Sequence, residues 1–407
     1  MQKIFKIWFF LGLFIIVYLF GWNSNKYQIF PHGYLQSSIT LIKDTINNSK
    51  FYFFSNKKNN IYNCKPNIPS KNIPDYSYLI VQEFCNKITK IDNEGNIIKE
   101  WLINDSILKN KKFKNGEIYP ISSLLDENDN LIFSFHHNGM NRNYIAMLNK
   151  NDELKWIKDN RVHHWGTVDV EKIYFSSTEV KKRNHYKNFL DADCSYIPHY
   201  NTISIIDKKT GKILNEIDIL KRLIDYQPNL NAYFSNVENA CLGPLHINYV
   251  TILKNQNLSK IQNVFKGDLM ISDRSSNAIY FYNIKEDKIV EDIQISFTKQ
   301  HSPKILNNGN IALFDNYGGN NENGRSRIYI LDPKTKKMIG SINGDNNNYF
   351  FSATRGHVHE GKVNNEFFIT SSNQGIIYYS KCNDIIRECT IKNIINSNNI
   401  ITDFNLY

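Results

Sequence analysis

The sequence lacks several motifs by which common enzyme classes are recognised. It contains no C-x-x-C pair, which excludes zinc ribbons and thioredoxin-like redox sites. There is no G-x-S-x-G elbow, no P-loop and no G-x-G-x-x-G after a strand, so serine hydrolases and nucleotide-binding folds are not indicated. Its histidine motifs carry no paired carboxylates, which disfavours glycoside hydrolysis.

A concentrated basic segment is also missing. The formal net charge is +10 over 407 residues, but the lysines are spread along turns such as "DKKTGK" at 207–212. We therefore expect no nucleic-acid partner and interpret the positive charge as a general attraction for small anions. The 41% hydrophobic and 13% aromatic content is that of an ordinary globular protein.

Only one long apolar run is present, at residues 7–22, and two lysines precede it. Bulky Tyr18, Phe20 and Trp22 stand where a signal peptidase requires small side chains. We therefore predict an uncleaved signal anchor at 1–23 and a linker at 24–75 with a short helix at 34–48; a cleaved signal is the alternative. The expected location is the bacterial inner membrane, single-pass, with the remaining chain in the periplasm.

The six cysteines suit an exported chain with disulfides, although spacing does not give their connectivity. Cys382 and Cys389 are the best local pair, because they flank a short polar segment between two strand-like runs. The other four are Cys64, Cys85, Cys194 and Cys241.

A strand–turn–strand unit recurs six times. The copies lie at 87–101, 144–159, 203–217, 278–293, 327–342 and 376–391. Each has the alternating apolar strands and polar turn of a β-hairpin, and most follow a further strand-like segment. About four strands per repeat predict an all-β, six-bladed β-propeller over 76–407; the alternative is a large β-sandwich, whose hairpins need not resemble each other.

Histidines recur a few residues ahead of the predicted innermost strands. They are His164, His246, His301 and, in the last repeat, His357 or His359. Since the first strand of each propeller blade lines the central channel, these imidazoles are expected to converge on one mouth. Arg274, Arg325 and Arg355 accompany them in sequence, and guanidinium groups suit a tetrahedral oxyanion.

This residue set favours group transfer to or from sulfur or phosphorus. A neutral imidazole can attack the electrophile while other imidazoles and a guanidinium neutralise the non-bridging oxygens. Three or four imidazoles could alternatively hold zinc or copper, but no carboxylates that would orient them are evident nearby. We therefore expect neither a metal nor another cofactor.

Several segments resemble the bacterial arylsulfotransferase family over roughly 120–380. They are "QHSPKILNNGNIALFDN", "HHWGTVDV", "PLHINYV", "GDLMISDRSSNAIYFYN" and "SRIYILDP". The resemblance implies a six-bladed propeller that moves a sulfuryl group from a phenolic sulfate to a phenol, without phosphoadenosine phosphosulfate. The implied route is ping-pong through a sulfated histidine.

The resemblance also implies roles for individual residues. His246 and His301 correspond to pocket histidines that hold sulfate oxygens and relay protons, and Arg325 to a sulfate-binding arginine. The nucleophile falls in the segment opening the last blade, where His359 is preferred to His357. His164, Arg274 and Arg355 are expected to bind substrate. The alternative function is a non-catalytic propeller that binds a ligand or a protein at the same mouth.

Overall fold

The computed structural model describes residues 64, 66–67, 75–83, 85–109, 118–137, 143–179, 199–227, 245–254, 256–294, 299–317, 325–345, 348–383, 388–397 and 399–407. All of them lie in a compact unit, Tyr62–Tyr407. The predicted anchor, the helix at 34–48 and two of the cysteines, Cys194 and Cys241, fall outside the described residues. None of the helices in the described ranges is long and apolar enough to cross a membrane.

These ranges form twenty-four β-strands. The first twelve are β1 (Tyr78–Gln82), β2 (Lys87–Ile91), β3 (Ile97–Leu102), β4 (Ile118–Leu125), β5 (Leu131–His137), β6 (Asn143–Leu148), β7 (Leu154–Lys158), β8 (Val162–Val168), β9 (Lys172–Glu179), β10 (His199–Asp207), β11 (Ile213–Asp218) and β12 (Ile247–Ile252). The others are β13 (Leu269–Asp273), β14 (Ala278–Asn283), β15 (Lys288–Gln294), β16 (His301–Ile305), β17 (Ile311–Asp315), β18 (Arg327–Asp332), β19 (Lys337–Asn343), β20 (His357–Glu360), β21 (Glu366–Ser371), β22 (Ile376–Cys382), β23 (Cys389–Asn396) and β24 (Ile401–Leu406).

The strands build an all-β, propeller-like fold. Four sheets have four strands each, in the orders β24-β1-β2-β3, β4-β5-β6-β7, β16-β17-β18-β19 and β20-β21-β22-β23. The fifth has eight strands, in the order β11-β10-β9-β8-β12-β13-β14-β15, and its halves meet at one parallel pair, Trp165 with Tyr249. The C-terminal strand β24 completes the sheet that begins with β1, which joins the two ends of the propeller.

Six strands, β4, β8, β12, β16, β20 and β24, each contact the next and close a ring. They line the centre of the fold, and each begins a four-stranded antiparallel series that runs outward. The middle strands are packed on both faces; "AIYFYN" of β14 and "EFFITS" of β21 are buried at every position. The outermost strands β15 and β19 are partly exposed, which explains their polar residues.

All six predicted hairpins are confirmed. They are the antiparallel pairs β2–β3, β6–β7, β10–β11, β14–β15, β18–β19 and β22–β23. Their repeated polar turns have a common cause, because an Asp or Asn side chain accepts hydrogen bonds from backbone N–H groups two to four residues ahead. Asp92, Asn149, Asp207 and Asp332 do so.

The structure corrects most of the predicted positions of the innermost strands. The inner strand β12 follows His246 as predicted. In the segment after His301, however, "IALF" forms β17, the second strand of its sheet, and "HSPKI" of β16 is innermost. Pro303 and a register shift between His301 and Lys304 hide β16 from a pattern search. Proline is tolerated there because the strand lies at a sheet edge. Consequently, His301 and His357 are the first residues of inner strands rather than residues ahead of them.

A short helix that the sequence pattern did not predict, α1 (Ile219–Tyr226), follows β11. The side chain of Asp218 accepts a hydrogen bond from the Lys221 N–H and caps its N-terminus. Ile219, Leu220 and Leu223 are buried in the same core as β14. At eight residues, α1 is too short to give a clear periodic signal.

The predicted Cys382–Cys389 disulfide is confirmed, across the β22–β23 hairpin. A second disulfide joins Cys64 to Cys85. It fastens the segment ahead of β1 to the propeller, and Asn67 pairs with Asn396 beside it.

Candidate functional site

An irregularity in β8 places two histidines and a tryptophan at the centre of the ring. The pairing of β8 with β9 shifts register between Val162 and Gly166, and His164 has a positive φ of 60°. In a regular strand, neighbouring side chains point to opposite faces, whereas a bulge re-aims them. The rings of His163 and His164 therefore lie only 3.8 Å apart, centroid to centroid.

His246 and His301 join these two side chains. The Nε2 atoms of His164 and His246 are 2.8 Å apart, so one of them donates a hydrogen bond to the other. The ring centroid of His301 lies 6.0 Å from that of His164. The structure thus brings together three of the predicted site histidines. It adds His163, the first histidine of the "HHW" motif, which was not predicted from the sequence as a site residue. We call these four residues the histidine cluster.

Two of the three predicted arginines act on this cluster. Burial is the largest cause that lowers the pKa of His246, and the charge of Arg274 is the next. Arg355 also lowers the pKa of His163, and its guanidinium makes two hydrogen bonds to the Glu83 carboxylate at 3.0 and 3.1 Å. Arg325 instead lies over the ring of Tyr349, with its guanidinium carbon 5.4 Å from the ring centroid.

The histidine cluster is held neutral. Burial lowers the pKa of His301 to about 3, with the Arg274 charge acting in the same direction, and the pKa values of His163 and His164 fall well below the ordinary range for the same first reason. Neutral imidazoles keep a nitrogen lone pair for attack or for hydrogen bonding at neutral pH. A fifth imidazole, His136, was not predicted; burial lowers its pKa to about 4, and its Nδ1 contacts the Asn143 side chain.

Trp165 contacts both the histidine cluster and the first histidine of β20. The centroid of its ring is 5.8 Å from that of His301 and 4.1 Å from that of His357, and both contacts are edge to face. The indole N–H donates to the Thr402 carbonyl of β24 at 3.1 Å. His359 lies beyond His357, with the two rings 6.1 Å apart, and its edge meets Phe404.

A cavity of about 120 Å³ lies on the His357 side of Trp165. Its polar lining includes Lys304, Tyr249 and Asp403, and the Lys304 ammonium donates to the Tyr249 hydroxyl at 2.5 Å. Asp403 Oδ1 is 3.6 Å from His357 Nε2, and burial raises the pKa of this carboxyl group to about 7. Asp403 was missed because it stands on β24, where no sequence motif marks it.

Metal binding can be tested against this geometry. The donor nitrogens of His163, His164 and His246 lie within 4.8 Å of one another, a spacing that a metal ion could bridge. The charge of Arg274, however, acts on His163, His164 and His246, and a guanidinium repels a cation while it attracts an anion. The electrostatics therefore favour an oxyanion over a metal ion.

Acidification is expected to destabilise the protein. A histidine whose pKa is lowered by folding contributes stability above its unfolded value near 6.5, and this contribution is lost as pH falls toward the folded value, about 3 for His301. Seven described histidines share this direction. Asp403 acts oppositely, because its raised pKa gives stability below 3.8 that is lost as pH rises through about 7. The melting temperature should therefore fall between about pH 7 and about pH 5.

The matched variant for this measurement is Asp403→Asn. It removes the opposing contribution of Asp403 and leaves those of Asp268, Asp273 and Glu360, whose pKa values burial also raises, so its melting temperature should fall more steeply over the same interval than that of the wild type. A melting temperature that is flat or rises on acidification would show that the histidines are not held neutral by folding.

Solved structures with a similar chain trace share little sequence with this protein. Streptogramin B lyase is 14% identical, with a TM-score of 0.46, and the match covers 84% of this chain and 97% of that chain. A putative 6-phosphogluconolactonase from Bacteroides uniformis ATCC 8492 is 7% identical, with a TM-score of 0.46 and coverage of 82% and 85%. A protein of unknown function from Bacteroides caccae is 10% identical, with a TM-score of 0.43 and coverage of 82% and 98%.

No curated protein matches the chain in sequence. A family model does match, and it is described as Arylsulfotransferase (ASST). The match runs over residues 123–390, which include every histidine and arginine of the site. Because it spans more than half of the sequence, the chain belongs to the arylsulfotransferase family.

Proposed function

We propose that this protein is an aryl sulfotransferase that moves a sulfuryl group from a phenolic sulfate ester to a phenol through a sulfohistidine. The observation that carries the proposal is the neutral histidine cluster next to Arg274 at the centre of the ring. The neutral imidazoles of the cluster supply hydrogen-bonding groups, the neighbouring neutral histidines of β20 supply the nucleophile, and the guanidinium supplies a fixed positive charge for the sulfuryl oxygens. Family membership supports the same substrate class.

The proposed reaction has two steps. In the first, a histidine nitrogen attacks the donor's sulfur; the N–S bond forms, the ester S–O bond breaks, and the electron pair leaves with the phenolate oxygen. In the second, the acceptor oxygen attacks sulfur as its hydroxyl proton leaves; the new O–S bond forms, the N–S bond breaks, and the electron pair returns to the histidine nitrogen.

For the nucleophile, we propose His357 first and His359 second. Strand position supports this order, since His357 begins β20 as His301 begins β16, and His357 pairs with Thr370 as His301 pairs with Phe314. His359 lies two residues further along the channel and packs on Phe404. His357 also contacts Trp165, which touches His301, so it is the nearer of the two to the cluster.

We further propose six blades, with the eight-stranded sheet counted as two. The β8–β12 junction supports this division, because it has a single parallel residue pair and each half is a complete antiparallel series.

We also propose an inner-membrane anchor at 1–23 with the propeller in the periplasm. The two described disulfides support an oxidising compartment, where such bonds persist.

The test is an activity assay on the purified full chain, with a chromogenic phenolic sulfate as donor and a second phenol as acceptor. We expect phenol release that depends on the acceptor, together with appearance of the sulfated acceptor. Added chelator should leave the rate unchanged. Donor binding without phenol release at any pH would contradict the proposal and favour the non-catalytic, ligand-binding alternative.

A further inference from the structure

Asn316, a residue outside the set predicted from sequence, is wholly buried just after β17 and contacts His301. Its amide nitrogen donates to the Ser352 carbonyl at 2.6 Å and to the Arg355 carbonyl at 2.5 Å. An amide group has two N–H donors on one side and a carbonyl acceptor on the other. The two carbonyl partners therefore fix the amide's orientation, with Oδ1 toward His301.

That orientation determines which nitrogen of His301 carries the proton. Nδ1 of His301 is 2.6 Å from Asn316 Oδ1 and 2.9 Å from the Lys299 carbonyl oxygen. Both oxygens are acceptors, so Nδ1 must be the donor, and in the neutral ring Nε2 then has only a lone pair. Nε2 is buried and has no hydrogen-bond partner among the described residues.

An unprotonated Nε2 fits one of the two tasks that the family resemblance implies for His301, relaying a proton, and does not fit the other, holding a sulfate oxygen. Holding a sulfate oxygen requires a donor, whereas a lone pair repels an oxyanion and accepts a hydrogen bond from a hydroxyl group. Before the reaction, several neighbouring groups keep Nε2 unprotonated and so available as a base. Arg274 and Arg355 bring positive charge, and the side chains of His164 and Trp165 pack on the ring.

We infer that Asn316 is a positioning residue that fixes His301 as the Nδ1–H tautomer, so that Nε2 receives the hydroxyl group of the sulfuryl acceptor. This inference rests on the proposed function and assigns His301 to the second step of the reaction. As the acceptor oxygen bonds to sulfur, its O–H bond breaks and the proton forms an N–H bond at His301 Nε2. The N–S bond breaks at the same time, and its electron pair returns to the sulfated histidine.

The first measurement is the tautomer of His301 in the full-chain wild type. Histidine labelled with ¹⁵N is observed by NMR, and the His301 signal is identified by its loss in His301→Gln. We expect a proton on Nδ1 and none on Nε2 at neutral pH. A proton on Nε2 would overturn the inference, whether or not the enzyme is active.

The second measurement separates the two reaction steps in Asn316→Asp. The carboxylate still accepts from Nδ1, but its negative charge favours the imidazolium, which has no lone pair. Transfer from sulfated enzyme to a phenol should therefore fall as pH decreases through the raised pKa of His301, by roughly 10²–10⁴-fold at the acidic limit and more than formation of the sulfated enzyme, because general-base catalysis is lost there. The control is Asn343→Asp, the same change at an exposed residue of β19, with both steps unchanged.

The outcomes remain distinguishable from failure of the proposed function. An equal loss of both steps in Asn316→Asp would overturn the role of His301 in the second step. If Asn316→Asp does not fold, the wild-type tautomer decides the inference. If the wild type forms no sulfated enzyme, the proposed function and the role given to Nε2 both fail, and only the fixed tautomer stands.

Discussion

Replacing Arg274 by methionine is expected to lower kcat/KM for a phenolic sulfate by roughly 10²–10³-fold, the effect of removing one strong oxyanion donor. The Arg274 backbone N–H donates a hydrogen bond to the His246 carbonyl at 3.2 Å, which places the residue at the site. Burial is the largest cause that lowers the pKa values of His246 and His301, and the positive charge of the Arg274 side chain is the second. Methionine keeps an unbranched side chain but has no charge to offer the sulfuryl oxygens.

Arg325→Met is the matched control for this prediction. The Arg325 guanidinium lies over the Tyr349 ring, so its removal should change kcat/KM by less than about threefold, since an exposed cation–π contact contributes only about 0.5–1 kcal/mol. The family resemblance implies that Arg325 binds the sulfate, whereas the structure places the charge of Arg274 at the histidines. The two variants therefore distinguish these two assignments. A large loss in Arg325→Met with little change in Arg274→Met would contradict the site described above.

Replacing Trp165 by alanine is expected to reduce the free energy of unfolding by about 3–5 kcal/mol, as in other buried tryptophan truncations. Trp165 is only 3% exposed, and its ring contacts those of His301 and His357. Its N–H bond to the Thr402 carbonyl also ties β8 to the C-terminal strand. Truncation would leave a void continuous with the 120 Å³ cavity and would remove that bond. Urea-induced unfolding of the wild type and the variant measures the difference.

Trp165→Phe separates packing from hydrogen bonding. Phenylalanine retains most of the aromatic contact and leaves the Thr402 carbonyl without its donor, so a loss of about 1–3 kcal/mol is expected. If the alanine and phenylalanine variants lost the same free energy of unfolding, the ring would not pack against the two histidines as the structure shows. A Trp165→Ala variant as stable as the wild type would contradict the buried position itself.

The outer half of each sheet could be predicted from sequence because its signals are local. A hairpin needs only alternating residues and a turn, and the Asp or Asn side chains at four of the turns lie within four residues of the N–H groups that they bind. The Cys382–Cys389 disulfide is local in the same sense, since it crosses one hairpin. The six copies in turn predicted the repeated, propeller-like architecture that the strand order shows.

The inner strands and the details of the site depend on distant contacts and could not be predicted in this way. β16 contains a proline and a register shift, so it lacks strand alternation, although it carries His301. Asn316, which follows β17, accepts a hydrogen bond from His301 on β16, and Asp403 on the C-terminal strand β24 lies near His357 on β20. The sequence predicts that the histidines converge, but it does not predict the contacts of Trp165 with His301 and His357.

The sequence also could not show which arginine contributes positive charge to the site. Three arginines accompany the histidines in the sequence, but only the fold shows which guanidinium charge acts on the imidazoles. Arg274 directly follows β13 and so comes close to His246, to which its backbone N–H is bonded. Arg325 begins the segment before β18 and lies over Tyr349. Strand order, rather than sequence distance, decides these placements.

The measurement that tests the central claim most directly is the intact mass of the full chain after brief incubation with a phenolic sulfate and no acceptor. We predict a gain of one sulfuryl group, mapped by peptide sequencing to a histidine of the site, that is discharged when a phenol is added. The gain should disappear in His357→Ala or, if His359 is the nucleophile, in His359→Ala. An unmodified protein that still releases phenol would contradict the sulfohistidine route, and an unmodified protein without phenol release would contradict sulfuryl transfer altogether.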